Sequence, residues 1–214
     1  MDLARYIEQT LLRPEATPAQ VEAHCRLAAS HGLFGVCVAS RFVSLARRCV
    51  SGTALRVVTV VAFPFGACGS GVKAEEARRA VLDGADEVDM VIAIGDAVAG
   101  DFAAVEADVL AVRDATAQRV LKVILETGYL SGEQIDEAAR AAVRAGADFV
   151  KTSTGYGPRG ASTDDIQRLV RAVDGRAGVK ASGGIRTRDA ALEMIRAGAN
   201  RIGTSSGVEM MLPR

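Results

Sequence analysis

Two hydrophobic patterns alternate along the whole chain. Continuous apolar and β-branched runs, which are typical of buried strands, occupy residues 34–38, 56–63, 88–94, 120–126, 149–154, 179–182 and 201–205. Between these runs, apolar residues recur at helical spacing, which predicts helices over residues 18–30, 72–82, 102–115, 133–145, 164–173 and 188–197. A short apolar run at residues 10–12 brings the predicted strands to about eight.

The number and order of these elements predict one fold. Strands that alternate with helices, and that are apolar along nearly their whole length, are typical of a parallel sheet covered by helices. About eight such units make a (β/α)8 TIM barrel of the α/β class, and 214 residues suit a single domain over residues 1–214. A repeated segment supports this prediction, because a glycine ends a helix just before a strand at residues 82–86, 144–148 and 196–200.

Two lysines stand inside predicted strands, Lys151 in the segment FVKTSTG and Lys180 in the segment GVKASGG. Burial disfavours a charged ammonium group, and a second ammonium group nearby disfavours it further, so an amine placed in this way becomes a nucleophile towards carbonyl carbons. Asp89 lies in a third apolar segment, EVDMV. Since the active site of such a barrel gathers at the carboxyl ends of its strands, we expect the three side chains to meet there.

The residues alone leave the role of Asp89 open. A structural ion pair with one of the lysines and a proton-transfer role would use the same contact.

Glycine-rich turns follow the last two predicted strands, at residues 182–185 and 203–207. Backbone N–H groups in such turns, next to helix starts, form a favoured phosphate site in barrels, and serine adds hydroxyl donors. The sequence therefore predicts a small phosphorylated carbonyl compound as substrate. The predicted substrate-binding and phosphate-binding residues are Thr152, Gly155, Gly183, Gly184, Gly203, Ser205 and Ser206.

Charge and composition exclude several classes of partner. The chain carries 26 basic and 26 acidic side chains without a run of like charge, so it lacks the electrostatic pattern of a protein that binds nucleic acid or an anionic membrane surface. Charged residues stand near the amino terminus, where a signal peptide would be apolar, and the apolar run at residues 57–63 is too short to span a bilayer. These features predict a cytoplasmic protein.

The cysteines and histidines do not form a recognisable metal motif. Cys25, Cys37, Cys49 and Cys68 contain no C-x-x-C pair, and both histidines fall on one predicted helix. We therefore expect reduced cysteines, no metal and no cofactor, although this argument leaves carboxylate-bound magnesium open.

Several segments together resemble the deoxyribose-phosphate aldolase family, whose members are class I aldolases. The resemblance runs along nearly the whole chain. The matching segments are YIEQTLLRP at residues 6–14, GVCV at 35–38, FPFG at 63–66, GADEVDMVIAIG at 84–95, LKVILETGYL at 121–130, FVKTSTG at 149–155 and VKASGGIRT at 179–187. The last two of these segments, combined with the segment at 84–95 that contains Asp89, are highly specific.

This resemblance implies a barrel enzyme that reversibly cleaves 2-deoxy-D-ribose 5-phosphate into acetaldehyde and D-glyceraldehyde 3-phosphate. It implies that Lys151 forms the Schiff base, and that Asp89 and Lys180 move protons. Members occur as monomers or dimers, and no heptad stripe in the sequence decides between them, so a homodimer stays one option. The chain departs from the usual pattern at Glu8 and Gln9 (Asp-His in the family), Arg13 (Lys), Ala93 (Asn), and Ala39 and Ser40 (a polar or aromatic residue followed by Pro).

Two alternatives remain at this level. The first is another Schiff-base aldolase of the same architecture that acts on a different phosphosugar or aldehyde. The second is a barrel that binds phosphosugars without turnover, since a fold does not by itself imply an activity.

Overall fold

Eight parallel strands form one closed barrel in the computed structural model, which describes residues 2–212. The strands follow one another around the barrel in chain order, and β1 pairs with β8 to close it. The strands are β1 (Ile7–Leu11), β2 (Gly35–Val38), β3 (Arg56–Val61), β4 (Glu87–Val91), β5 (Val120–Ile124), β6 (Phe149–Lys151), β7 (Gly178–Ser182) and β8 (Arg201–Thr204). The predicted (β/α)8 barrel is confirmed, while residues 1, 213 and 214 of the predicted domain lie outside the described part.

Helices connect the strands on the outside of the barrel. They are α1 (Pro18–Ser30), α2 (Val43–Cys49), α3 (Ser70–Leu82), α4 (Ile94–Ala99), α5 (Phe102–Thr116), α6 (Gly132–Arg144), α7 (Thr163–Val173) and α8 (Arg188–Arg196). Within residues 2–212, each of these helices is too short or too polar to traverse a lipid bilayer.

Two of these helices, α2 and α4, were not predicted. Both are short, so a helical period has little room to show. Helix α4 also begins inside the apolar run that predicted a strand over residues 88–94. The strand stops at Val91, and the Asp108 carboxylate on α5 accepts a hydrogen bond from the N–H of Ala93, the residue that precedes α4.

Besides the strand predicted over residues 88–94, three predicted strands extended two or three residues too far at their carboxyl ends. The predictions ran to residues 63, 126 and 154, whereas β3, β5 and β6 end at Val61, Ile124 and Lys151. The backbone leaves the sheet soon afterwards: Ala62 and Glu126 both adopt left-handed conformations, with φ of 54°. These carboxyl-terminal continuations are therefore loops, and they form the mouth of the barrel.

The repeated glycines end helices as the sequence predicts. Gly84, Gly146 and Gly198 follow α3, α6 and α8 with positive φ values of 106°, 87° and 115°, a region that glycine occupies without strain.

Apolar and charged residues of the barrel interior lie on different strands. Cys37, Val58 and Val60 on β2 and β3 form a small buried apolar cluster with Leu12 and Phe63. The main apolar core lies elsewhere, in the cluster that includes Leu121, Ile166 and Ile202. On β1 and on β4 to β7, the strands carry buried charged residues instead.

Candidate active site

Strand register brings the two predicted lysines and Asp89 together. Lys151 on β6 and Lys180 on β7 are direct partners across the parallel pair, and Asp89 on β4 is the partner of Lys122 on β5. All four side chains are buried, and Lys151 is the most exposed of them at 3%. The three residues predicted to carry chemistry therefore meet in the barrel interior.

Asp89 is the hydrogen-bond acceptor at the centre of this group. Its Oδ2 accepts from the Nζ of Lys151 at 3.0 Å and from the Nζ of Lys180 at 2.6 Å, while Oδ1 accepts from the Nζ of Lys122 at 2.8 Å. One carboxylate thus holds three amines, and its two oxygens have different partners.

Burial is the main cause that lowers the pKa of Lys151 below the ordinary lysine value. The Asp89 carboxylate opposes this shift, and the Lys180 ammonium group adds to it. The sequence predicts this lowered pKa from burial and a neighbouring cation, and of these two causes burial is the larger. A buried lysine with a lowered pKa supplies a neutral amine for attack on a carbonyl.

The partners of Lys151 are shifted towards their charged forms. Burial by itself would raise the pKa of Asp89, but the ammonium groups, that of Lys122 foremost, hold it well below its usual range. Burial by itself would lower the pKa of Lys180, yet Asp89 and Glu8 together raise it. The carboxylate of Asp89 therefore lies within hydrogen-bond distance of two nitrogens whose pKa values are shifted in opposite directions, that of Lys151 downwards and that of Lys180 upwards.

A second set of buried charges lies behind Asp89, and sequence reasoning missed most of it. The Nζ of Lys122 lies 2.6 Å from Glu87 and 3.4 Å from Glu8, whose other oxygen accepts from Lys180. Burial by itself would lower the pKa of Lys122. The carboxylates of Asp89, Glu8 and Glu87, in that order of effect, outweigh burial and raise this pKa. Glu8, which replaces the family's aspartate, thus spans two lysines.

The sequence did contain a signal for this second set. Lys122 stands between Leu121 and Val123, in the same kind of apolar strand that drew attention to Lys151. Glu87 precedes Asp89 by two positions, the spacing that places side chains on one face of a strand.

An open cleft of about 300 Å³ leads from Lys151 to the loops after β6, β7 and β8. Two guanidinium-bearing residues, Arg13 and Arg186, belong to its lining and favour an anionic ligand. Five of the predicted phosphate-binding residues also line this cleft: Gly155, Gly183, Gly184, Gly203 and Ser205.

Two of these glycines are required by close packing. Gly183 has a φ of 87°, and a Cβ atom there would lie 3.0 Å from the Cα of Gly160, which is backbone and cannot easily yield. A Cβ atom on Gly203 would lie 3.0 Å from the Cε of Lys180 and 3.1 Å from the Cβ of Ser182. Gly203 therefore leaves room for the side chain of Lys180 beside the cleft.

Thr152 and Ser206 do not line this cleft. The Thr152 side chain is buried, and its hydroxyl donates to the carbonyl of Ser182 at 3.1 Å and accepts from the N–H of the same residue at 3.1 Å, which ties the end of β6 to the end of β7. The N–H of Ser206 donates to the hydroxyl of Thr204. Next to it, the carbonyl of Ser205 accepts from the side chain of Gln9 at 2.9 Å.

Glu126 holds the loop that carries Gly155, and the sequence argument did not single it out. Its side chain is buried, and Oε2 accepts hydrogen bonds from both the N–H and the hydroxyl of Thr154. Within residues 2–212, Oε1 has no hydrogen-bond partner. Glu126 also has a left-handed φ, which is unusual for this residue type and often marks functional segments.

A second cavity of about 400 Å³ lies beside the cleft at the mouth of the barrel. Ala39 and Ser40, two departures from the family pattern, line this cavity. Ala93, a third departure, belongs to the lining of neither cavity.

The chain is similar in sequence to known proteins along nearly its whole length. A family model described as DeoC/LacD family aldolase matches residues 5–211. Deoxyribose-phosphate aldolase from Thermus thermophilus is 54% identical over 211 residues, which are 99% of this chain and 96% of that protein. The protein of the same name from Deinococcus radiodurans is 51% identical over 211 residues, with the same coverage of both chains.

Solved structures show the same similarity. An aldolase named QR15 superposes with a TM-score of 0.94 at 37% sequence identity, and the match covers 99% of this chain and 95% of that one. The resemblance predicted from the sequence motifs is therefore confirmed at the level of the family.

Proposed function

Because the chain belongs to the DeoC/LacD aldolase family, we propose that it is a Schiff-base aldolase that reversibly cleaves 2-deoxy-D-ribose 5-phosphate into acetaldehyde and D-glyceraldehyde 3-phosphate. The observation that carries this proposal is the buried amine of Lys151, with its lowered pKa, at the inner end of an arginine- and glycine-lined cleft. The names of the Thermus and Deinococcus relatives support the choice of substrate.

Lys151 begins the reaction as the nucleophile. Its neutral amine attacks the C1 carbonyl carbon of the open-chain sugar phosphate, and water leaves to give a protonated imine. The positive nitrogen withdraws electrons from the chain, which prepares the bond between C2 and C3 for cleavage.

Asp89 is the base for the cleavage step. It takes the proton of the C3 hydroxyl, directly or through an ordered water, as the electron pair of the C2–C3 bond moves towards the imine. Glyceraldehyde 3-phosphate leaves, and an enamine stays on Lys151. Protonation of the enamine at C2 and hydrolysis of the imine by water then release acetaldehyde and restore the free amine.

Lys180 influences the protonation states of both Asp89 and Lys151. Its ammonium group lies 2.6 Å from Asp89, which keeps the carboxylate ionised, and it disfavours a second positive charge on Lys151. Since its own pKa is raised, Lys180 stays protonated and can pass a proton within the relay.

The cleft binds the substrate phosphate. Backbone N–H groups at Gly155, Gly183, Gly184, Gly203 and Ser205 and the side chains of Arg13 and Arg186 are the proposed contacts. Thr152 and Ser206 do not contact the phosphate in this proposal; their hydrogen bonds to Ser182 and Thr204 support the loops that form the cleft. Binding the phosphate end, remote from the reacting carbon, converts binding energy into orientation of C1 and C3.

Three further proposals concern the whole protein. We place it in the cytoplasm, which the four free cysteines support, and we treat residues 1–214 as one domain, since all eight barrel strands lie within residues 7–204. A homodimer is the proposed assembly, and sedimentation velocity tests it.

Substrate preference tests the proposed function. We expect the release of triose phosphate to be fastest from 2-deoxyribose 5-phosphate, compared with ribose 5-phosphate and with ketose phosphates. A preference for a ketose phosphate would contradict the substrate and favour the alternative aldolase. Binding of the sugar phosphates without any cleavage would instead favour a barrel that only binds them.

A further inference from the structure

The mouth of the barrel contains two cavities, of about 300 Å³ and about 400 Å³, with a common boundary. Leu12 and Tyr156 are the two residues that line both. Lys151 belongs to the lining of the first cavity and not of the second. The mechanism uses the first cavity and assigns nothing to the second.

Tyr156 is held in place as a bridge across the mouth. It lies in the loop after β6, and its hydroxyl donates a hydrogen bond to the carbonyl of Leu12, in the loop after β1, at 3.1 Å. Its ring packs edge-on against Phe63, from the loop after β3, with the ring centres 5.5 Å apart and the planes at 88°. Contacts with two separate loops therefore fix the ring between the two cavities.

The two cavities differ in chemistry. The first has arginine, serine and glycine residues and leads to the reactive amine. The second is lined largely by apolar groups, among them Val60, Phe63 and Phe65.

The polar residues of the second cavity are engaged with other groups. The hydroxyl of Ser40 donates to Oε1 of Glu76 at 2.8 Å, and Oε2 of Glu76 accepts from the N–H of Ala62 at 2.8 Å. A cavity whose polar groups already have partners and whose other walls are apolar suits a hydrocarbon chain.

We propose that Tyr156 is a specificity-determining residue, which separates the phosphate cleft from an apolar cavity able to hold the tail of an unphosphorylated aldehyde. The inference rests on the proposed aldolase function. With Tyr156 in place, an aldehyde that reaches Lys151 extends into the phosphate cleft, where an apolar tail would meet arginine and glycine N–H groups. Without the ring, the tail can turn into the second cavity.

The condensation direction of the reaction provides the assay. Acetaldehyde forms an imine with Lys151 and releases water, and loss of a proton from its methyl carbon gives the enamine. That carbon forms a new bond to the carbonyl carbon of an acceptor aldehyde, whose oxygen takes a proton. Water then hydrolyses the imine and releases a 3-hydroxyaldehyde, so no further reactant is needed.

The experiment compares two acceptors, hexanal and glyceraldehyde 3-phosphate, with acetaldehyde as donor. For Tyr156→Ala we expect the ratio of kcat/KM for hexanal to that for glyceraldehyde 3-phosphate to rise by about tenfold or more over the unaltered protein, the order by which a pocket discriminates between substrates by apolar contacts. Tyr156→Phe keeps the ring and loses the hydrogen bond to Leu12, so its ratio should rise less. Tyr129→Ala should leave the ratio unchanged, because it removes a tyrosine that is 55% exposed, close to the 51% of Tyr156, but lines neither cavity.

The possible failures are distinguishable. An unchanged ratio in Tyr156→Ala, or an equal loss for both acceptors, would overturn the inference while the unaltered protein still condenses acetaldehyde with glyceraldehyde 3-phosphate. If the unaltered protein forms no product from these two compounds, the proposed function fails, and this inference fails with it.

Discussion

The Nζ of Lys151 and the Oδ2 of Asp89 lie 3.0 Å apart in the barrel interior, although β5 separates the strands that carry them. The contact joins an amine whose pKa is lowered with a carboxylate whose pKa is also lowered. The amine can therefore be neutral while the carboxylate is charged, which is the state that imine formation and subsequent proton removal require.

Removing the neighbouring cation should shift the pH dependence of imine formation. The ammonium group of Lys180 lowers the pKa of Lys151, so Lys180→Met should raise that pKa. Imine formation needs the neutral amine and is lost as the pH falls through the Lys151 pKa. The acidic limb of the profile should therefore move to higher pH. The rate of cyanoborohydride trapping with acetaldehyde measures this limb.

A matched control is Lys73→Met, which removes another fully buried lysine. Lys73, on α3, donates to Asp108 on α5 at 2.6 Å and to the carbonyl of Val91 at 3.0 Å, and within residues 2–212 no hydrogen bond joins it to Asp89, Lys151 or Lys180. The limb should stay in place in this variant. A limb that stays in place in Lys180→Met, or that moves to lower pH, would contradict the assigned electrostatics.

Lys122 should contribute strongly to stability because it compensates buried carboxylates. Lys122→Met leaves Glu87 without its partner and takes one of three lysines away from Asp89, and breaking a buried pair in this way costs about 3–5 kcal/mol in the free energy of unfolding. The double variant with Glu87→Gln should lose less than the two single losses added together, by about 0.5–3 kcal/mol. Urea denaturation of the four proteins measures the coupling, and strict additivity would refute it.

Glu126 should affect binding of the phosphate more than chemistry at Lys151. Glu126→Ala removes the acceptor for the N–H and hydroxyl of Thr154, and we expect about 1–2 kcal/mol of weaker binding, or about a tenfold higher KM for 2-deoxyribose 5-phosphate. Unphosphorylated 2-deoxyribose should show little change in kcat/KM. Glu126→Gln keeps an acceptor oxygen and should restore most of the loss, whereas equal losses on both sugars would argue against a role through the loop.

Gly183 should tolerate no side chain in the phosphate cleft. Gly183→Ala meets both an unfavourable φ and the backbone of Gly160, so its KM for the phosphorylated sugar should rise. Gly175→Ala is the control, because Gly175 has a φ of 70° and open space around it. Steady-state kinetics should show no KM change in the control; similar KM values in both variants would show that the contact with Gly160 does not matter.

Much of the fold followed from the sequence because barrel strands and helices have different hydrophobic periods. The predicted meeting of Lys151, Lys180 and Asp89 followed from one topological rule, that strand ends of a barrel converge. The roles assigned to these residues and to the phosphate cleft stay predictions, which the experiments above address.

Other features depend on register and loop conformation, which periodicity does not encode. Lys122 carried the same signal as Lys151 and could have been found from the sequence. The place of Glu126 depends on a left-handed backbone at the end of β5, and that of Tyr156 depends on contacts with two loops far away in the chain. Sequence spacing contains no information about such contacts.

Trapping of the imine tests the neutral amine of Lys151 most directly. The protein is incubated with acetaldehyde, reduced with borohydride, digested and analysed by mass spectrometry, with Lys151→Ala treated in parallel. We expect a two-carbon adduct on Lys151 and no such adduct in the variant. A two-carbon adduct on a different lysine, or an unmodified Lys151 in the intact protein, would contradict the proposed role of Lys151.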